Sequence, residues 1–271
     1  MTDPGESFLD RAGRWLSHFL ARESTGYRPY TPSDPETLRA TLQPGDVLLV
    51  EGNQRLSAAI KYLSQSTWSH AALYIGDRFA APGDMDKVLV EVTLEEGCIA
   101  VPLSKYANYN TRICRPVGLT DRDCKAVVDF MIGSIGLRYD HKNIVDLARY
   151  LLPTPPVPVR WRRRMIAFGS GDPTRAICST LIAEAFGLIR YPILPSITPV
   201  EPHATVPVSG YSRQEILHIR HHSLYTPRDF DLSPYFRIVK PTIETGFDYT
   251  RLVWGAAEDE PVGKRAELPG P

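Results

Sequence analysis

The sequence has no apolar run long enough to span a bilayer, no CxxC pair and no excess of either charge. The first absence argues against an integral membrane protein. The second argues against a zinc ribbon or a thioredoxin-like site. The four cysteines, Cys98, Cys114, Cys124 and Cys178, are widely scattered and suggest no disulfide framework. The third absence, 31 Lys+Arg against 31 Asp+Glu, disfavours a globally basic nucleic-acid binder. The opening MTDPGESFLDRAG carries early acids and no apolar core, so it does not read as a secretory signal. The expected compartment is the cytoplasm, where thiols stay reduced. Proline, by contrast, is plentiful, with 24 in 271 residues. That forecasts long irregular connections, mostly in the second half. With 43% hydrophobic and 23% charged residues, the chain reads as a globular protein with enough length for a proper core.

Residues 7–22 show helical spacing, with Phe8, Ala12, Trp15, Leu16, Phe19 and Leu20 on one face and charged residues on the other. Such a helix either packs on its own domain or lies on a membrane surface or a partner. A short helix is expected from Asp34-Pro35. PGDVLLVEG then gives a turn and a strand, and QRLSAAIKYLSQ a short amphipathic helix. Strands are expected at about residues 70–76, 88–93, 99–102 and 111–116, close enough in sequence to form an antiparallel, curled sheet. Thr120 or Asp121 caps a helix in TDRDCKAVVDFMIGSIG. ICSTLIAEAFGLI is a helix apolar on most of its surface. GYSRQEILHI is expected as a short helix. The final residues, 255–271, lack apolar periodicity and read as a disordered tail.

Two short stretches carry the chemistry. In TWSHAALYIGD, Ser69 and His70 stand at the mouth of an apolar strand. A lone histidine there is commonly a partly buried residue with one hydrogen-bond partner. In RAICSTLIAEAF, Cys178 stands at the start of a helix, where unpaired N–H groups and the positive dipole end stabilise a thiolate. The same amides can stabilise an oxyanion. Cys98 and Cys114 fall in strands and Cys124 inside a helix, so those three read as inert. A cysteine nucleophile needs a base, and the base needs an orienting group. His70 can supply the base. Glu91, in the next strand, can be brought beside it by antiparallel pairing.

The string PGDVLLVEG, SHAALYIGD, VLVEVTLEEG, GLRYD and ICSTLIAEAF, in that order, resembles the permuted papain-like cysteine hydrolases, the YiiX/YebB-like branch of the NlpC-type family. The resemblance covers about residues 42–188. In that branch the histidine strand comes first and the cysteine helix last, which is the order His70, Glu91, Cys178. The resemblance implies an α+β, papain-like fold with a curled antiparallel sheet packed against the nucleophile helix. It implies Cys178 as nucleophile, His70 as general base and Glu91 as the group that orients the imidazole. Tyr139, in GLRYD, matches a tyrosine near the nucleophile whose hydroxyl can assist the oxyanion hole. Asp140 accompanies it and holds the loop. Ser179 offers a backbone N–H near the oxyanion site, and Ser69 completes the substrate-binding candidates. No metal and no organic cofactor is implied.

The chain is accordingly divided into residues 1–41 (amphipathic helix and linker), 42–190 (catalytic domain with an insertion at about 151–175), 191–254 (C-terminal extension) and 255–271 (tail). The expected activity is hydrolysis of an amide or ester through a thioester acyl-enzyme. The substrate is a small molecule, a peptide-like amide or a lipid acyl group. The alternative is a non-catalytic binding module on the same scaffold. The helix at residues 7–22 and the basic aromatic run at residues 159–168, with Trp161 among four arginines, favour peripheral contact with a membrane. The same arginine run also reads as a solvated basic loop. A nucleic-acid partner is not expected.

Overall fold

The computed structural model describes residues 22, 27, 29–30, 34–79, 86–93, 95–137, 178–199, 215–218, 221–222 and 225–253. Tyr139, Asp140, the insertion at 151–175, the tail, and all of the segment 7–22 but Arg22 lie outside the described residues.

The first helix, α1 (Pro35–Thr41), starts where Asp34 accepts the Thr37 N–H at 2.9 Å and proline occupies the first turn. The turn into β1 (Val47–Val50) is the Gly45-Asp46 pair. Gly45 has φ +91°, a region that L side chains rarely adopt. Asp46 accepts the Gln43 N–H at 2.8 Å and two donors of Arg115, at 2.9 and 2.7 Å. Asp46 is buried, and burial raises its pKa while Arg115 and the Gln43 amide hold it down. The "GD" of the sequence is therefore a structural latch between the start of β1 and a distant strand.

The chain continues through α2 (Arg55–Ser64), β2 (His70–Tyr74), β3 (Lys87–Thr93) and β4 (Gly97–Pro102). A 3-10 turn (Leu103–Tyr106) leads to β5 (Thr111–Pro116) and α3 (Asp121–Gly133), which Thr120 caps. Then come α4 (Cys178–Leu188), β6 (Ser196–Pro199), β7 (Glu215–His218), α5 (Pro227–Asp231), β8 (Phe236–Val239) and α6 (Pro241–Glu244).

Among the described residues, six strands form one sheet in the order β4-β3-β2-β1-β5-β8, and every pairing is antiparallel. β1 lies inside the sheet with both faces covered, and all four of its residues are buried. The fold is α+β, with an open antiparallel sheet. On one face, Leu49, Leu73 and Val90 pack with Val127 and Met131 of α3 and Ile182 of α4. On the other, Leu48, Ala72 and Leu89 pack with Leu38 of α1 and Leu103 and Tyr106 of the 3-10 turn. α4 is buried nearly all round, because the C-terminal segment closes over it. Phe236 meets Phe186 edge-on at 5.3 Å and Phe230 at 5.5 Å, while β8 extends the sheet beyond β5.

One expectation fails on backbone grounds. Glu215–His218, expected within a helix, is the strand β7, hydrogen-bonded to β6 with Ser196 opposite His218. Four residues carry too little periodicity to decide, and pairing with a segment about twenty residues away decides for them.

Candidate active site

Cys178 and His70 approach each other around the first residues of β2. Ile75 donates its N–H to Val88 of β3, so by the alternation of a strand the Ala71 N–H also points toward β3. The β2–β3 register begins at Ala72 opposite Glu91. One residue earlier, Ala71 has no strand partner on that side. Its N–H donates to Cys178 Sγ at 3.1 Å. The sulfur thus occupies the place where the ladder ends, at the first residue of α4, and is 4% exposed.

His70 lies two residues before Ala72 on the same face of β2. Its diagonal neighbour on β3 is Glu91, and Nε2 stands 3.0 Å from Glu91 Oε2. An ionised carboxylate only accepts, so Nε2 carries a proton. Cys178 lies close enough to the ring to raise its pKa, and with Nε2 given to Glu91 the ring nitrogen left for the sulfur is Nδ1. Burial pushes the imidazolium pKa down, but Cys178 and Glu91 outweigh burial and raise it to about 10. Glu91 is 0% exposed. Burial alone would raise its pKa; His70 and Lys105 reverse that and lower it to about 2.

Two residues that sequence reasoning missed complete the arrangement. Lys105 Nζ donates to Glu91 Oε1, and the Tyr106 hydroxyl donates to Glu91 Oε2. Both belong to the 3-10 turn after β4, the strand that pairs with β3. Tyr106 is buried and its phenol is held neutral, by burial first and by the Glu91 carboxylate next. The only sequence signal was their place: a Lys-Tyr pair directly after the strand beside the one carrying Glu91.

The remaining candidates fall into three positions. Ser69 lines the site, and its Oγ accepts the Gly52 N–H at 2.9 Å, fixing the loop after β1. The Ser179 hydroxyl donates to the Tyr225 carbonyl at 2.8 Å and so anchors α4 to the C-terminal segment. Tyr139 and Asp140 lie outside the described residues. His70, Glu91 and Cys178 open together into a cleft of about 200 Å³. One wall is α2 and its approach, with Gly52, Leu56, Ser57 and Ile60; the other is the β3–β4 turn with Glu95 and Glu96. Among the described residues no group of three or more His, Cys, Asp or Glu is placed to hold a metal ion, and no helix is long and apolar enough to cross a membrane.

Residues 41–150 match the family described as permuted papain-like amidase enzyme, YaeF/YiiX, C92 family. That segment, rather than the whole chain, is similar to the permuted papain-like amidases. The matched segment holds His70, Glu91, Lys105 and Tyr106, and Cys178 lies beyond it. Among solved structures, the chain is similar to one described as the metalloprotein yiiX from Escherichia coli O157:H7. The identity is 13% and the TM-score 0.43, over 74% of this chain and 97% of that one. No curated protein matches. The family's description points to a papain-like cysteine amidase or related hydrolase.

Proposed function

We propose that the protein hydrolyses an amide or ester bond with Cys178 as nucleophile, His70 as general base and acid, and Glu91 as the carboxylate that orients His70. The observation that carries this reading is the convergence of buried Glu91, His70 and Cys178 on one cleft, with His70 hydrogen-bonded to Glu91 and electrostatically coupled to Cys178. His70 Nδ1 takes the thiol proton, and the Ala71 N–H supports the sulfur's negative charge. Sγ attacks the carbonyl carbon, and the π pair moves onto oxygen. The backbone N–H of Ser179, in the first turn of α4, is the candidate donor to that oxyanion. As the tetrahedral intermediate collapses, the amine or alcohol leaves with the proton from His70, and a thioester to Cys178 remains. Water then attacks the thioester, His70 takes its proton, and the acid departs as the thiol is restored.

The substrate class stays as the sequence framed it, a peptide-like amide or a lipid acyl group, with the segments 7–22 and 159–168 as the proposed membrane contacts. The test is intact-mass spectrometry of the full chain mixed with activated aminoacyl and fatty-acyl esters. The account expects a single acyl adduct that is lost with Cys178→Ala and decays in water. An adduct that persists undiminished in Cys178→Ala would overturn it. So would full hydrolytic activity in His70→Ala.

A further inference from the structure

A buried carboxylate that orients a catalytic histidine needs partners of its own. Glu91 has two besides His70, and neither faces the nucleophile as a reacting group. Lys105 takes Oε1, and Tyr106 shares Oε2 with the His70 ring. We infer that Lys105 and Tyr106 form a clamp on Glu91 that fixes its carboxylate plane and sets how strongly it holds the proton on His70. They are positioning residues for the proposed reaction, and the inference rests on the reading of Cys178, His70 and Glu91 given above.

The argument begins with cost. An isolated ionised carboxylate in a site with no solvent access is strongly disfavoured. Glu91 is wholly buried, so its charge requires a permanent counter-charge. His70 cannot be that group, because it must gain and lose a proton during turnover. Lys105 can: its ammonium contacts the carboxylate from a side chain that is 39% exposed. Tyr106 adds a neutral donor whose proton stays in place, and its ring lies 6.1 Å from the His70 ring. Lys105 and Tyr106 are adjacent on one rigid turn, and that turn is tied to the sheet by buried Leu103 and by Tyr106 itself. Geometry and charge therefore come from the same element.

The direction of the effect follows. Each clamp donor draws electron density from Glu91 and makes it a weaker acceptor for the imidazolium. Lys105 also repels that cation directly. Removing either donor leaves the proton held more tightly on His70. The groups facing the His70–Glu91 pair are Cys178 from α4, Lys105 and Tyr106 from the 3-10 turn, and Tyr109 just beyond it. Cys98 of β4 stands behind Glu91, and Glu95 and Glu96 stand on the β3–β4 turn. Among the described residues, those that line the cleft from the α2 side are neutral, among them Asn53, Gln54 and Ser57, while Lys61 of α2 pairs with Glu51.

The experiment is NMR titration of ring-15N-histidine in the full chain, with the His70 signal assigned by its loss in His70→Ala. The variants are Lys105→Met, Lys105→Arg and Tyr106→Phe. In Lys105→Met and in Tyr106→Phe the His70 titration is expected to move upward by about 1 pH unit, and Lys105→Arg restores it. A His70 titration unchanged or lowered in both Lys105→Met and Tyr106→Phe overturns the clamp, as does failure of Lys105→Arg to restore it. Should one variant not fold, the other carries the same readout. Iodoacetamide labelling of Cys178 in wild type and His70→Ala runs in parallel. A shifted titration combined with labelling that ignores His70 would sink the catalytic reading while leaving the clamp's hold on His70 in place.

Discussion

His70 Nε2 and Glu91 Oε2 lie 3.0 Å apart, and the carboxylate has no exposure to solvent. The glutamate therefore acts on the ring through both its charge and its direction. Glu91→Gln keeps the shape and removes the charge. The His70 imidazolium then loses one of its two supports, and its pKa falls. Iodoacetamide labelling of Cys178 at about pH 6.5 is expected to slow by about tenfold, one pH unit's worth of ion-pair population. An unchanged rate would show that the charge is irrelevant.

The same two groups give the stability a pH signature. The His70 pKa rises from 6.5 to about 10 on folding. Its contribution is complete below 6.5 and is lost as pH rises through about 10. The Glu91 pKa falls from 4.5 to about 2. Its contribution is complete above 4.5 and is lost as pH falls through about 2. Urea unfolding of wild type and His70→Gln across this range is expected to show the largest difference between 4.5 and 6.5. The gap should narrow on both sides, and a gap that widens toward alkaline pH would contradict the assignment.

The Asp46–Arg115 latch bears on stability alone. Asp46 is 1% exposed, and Arg115 also donates to the Thr41 carbonyl at 2.7 Å. Arg115→Met strands the carboxylate and is expected to cost about 3 kcal/mol in urea unfolding. The double variant with Asp46→Asn should lose less than the two singles summed. Cys178 labelling in the folded variant should be unaltered.

Gly52 tests the cleft wall. A Cβ there would stand 2.3 Å from Ser57 Oγ and 2.9 Å from Ser69 Oγ, so the loop must shift in Gly52→Ala. The hydrogen bond from Gly52 to Ser69 is lost with it. Hydrolysis is expected to drop by about tenfold while the fold remains, as for other small displacements of a positioning loop. Adding Ser57→Gly opens the space and restores much of the rate. Failure of that rescue would locate the defect elsewhere.

Much of this was legible in the sequence because it is local. The His70 strand, the Glu91 strand and the Cys178 helix each announce themselves by apolar runs a few residues long, and their order matched a permuted papain-like pattern. Thr120 and Asp34 were legible as helix starts for the same reason. Lys105 and Tyr106 were not, since a Lys-Tyr pair on an irregular turn has no signature until the β3–β4 register brings it over Glu91. Asp46 was visible as part of a motif but not as a latch, because Arg115 lies 69 residues away. The misreading of Glu215–His218 as helical has the same origin, a partner strand distant in sequence.

The most direct test of the account is the reactivity of Cys178 against pH. Burial raises the pKa of Cys98 to about 11 and drives that of Cys114 up as well, so neither competes for the probe. An ordinary thiol is about 1% ionised at a pH two units below its pKa of about 8.5. Iodoacetamide labelling at about pH 6.5, located by mass spectrometry, is predicted to fall on Cys178 first, far faster than on an ordinary thiol. That advantage should vanish in His70→Ala. Labelling of Cys178 no faster than an ordinary thiol, or equally fast without His70, would contradict the claim that the two residues form a working pair.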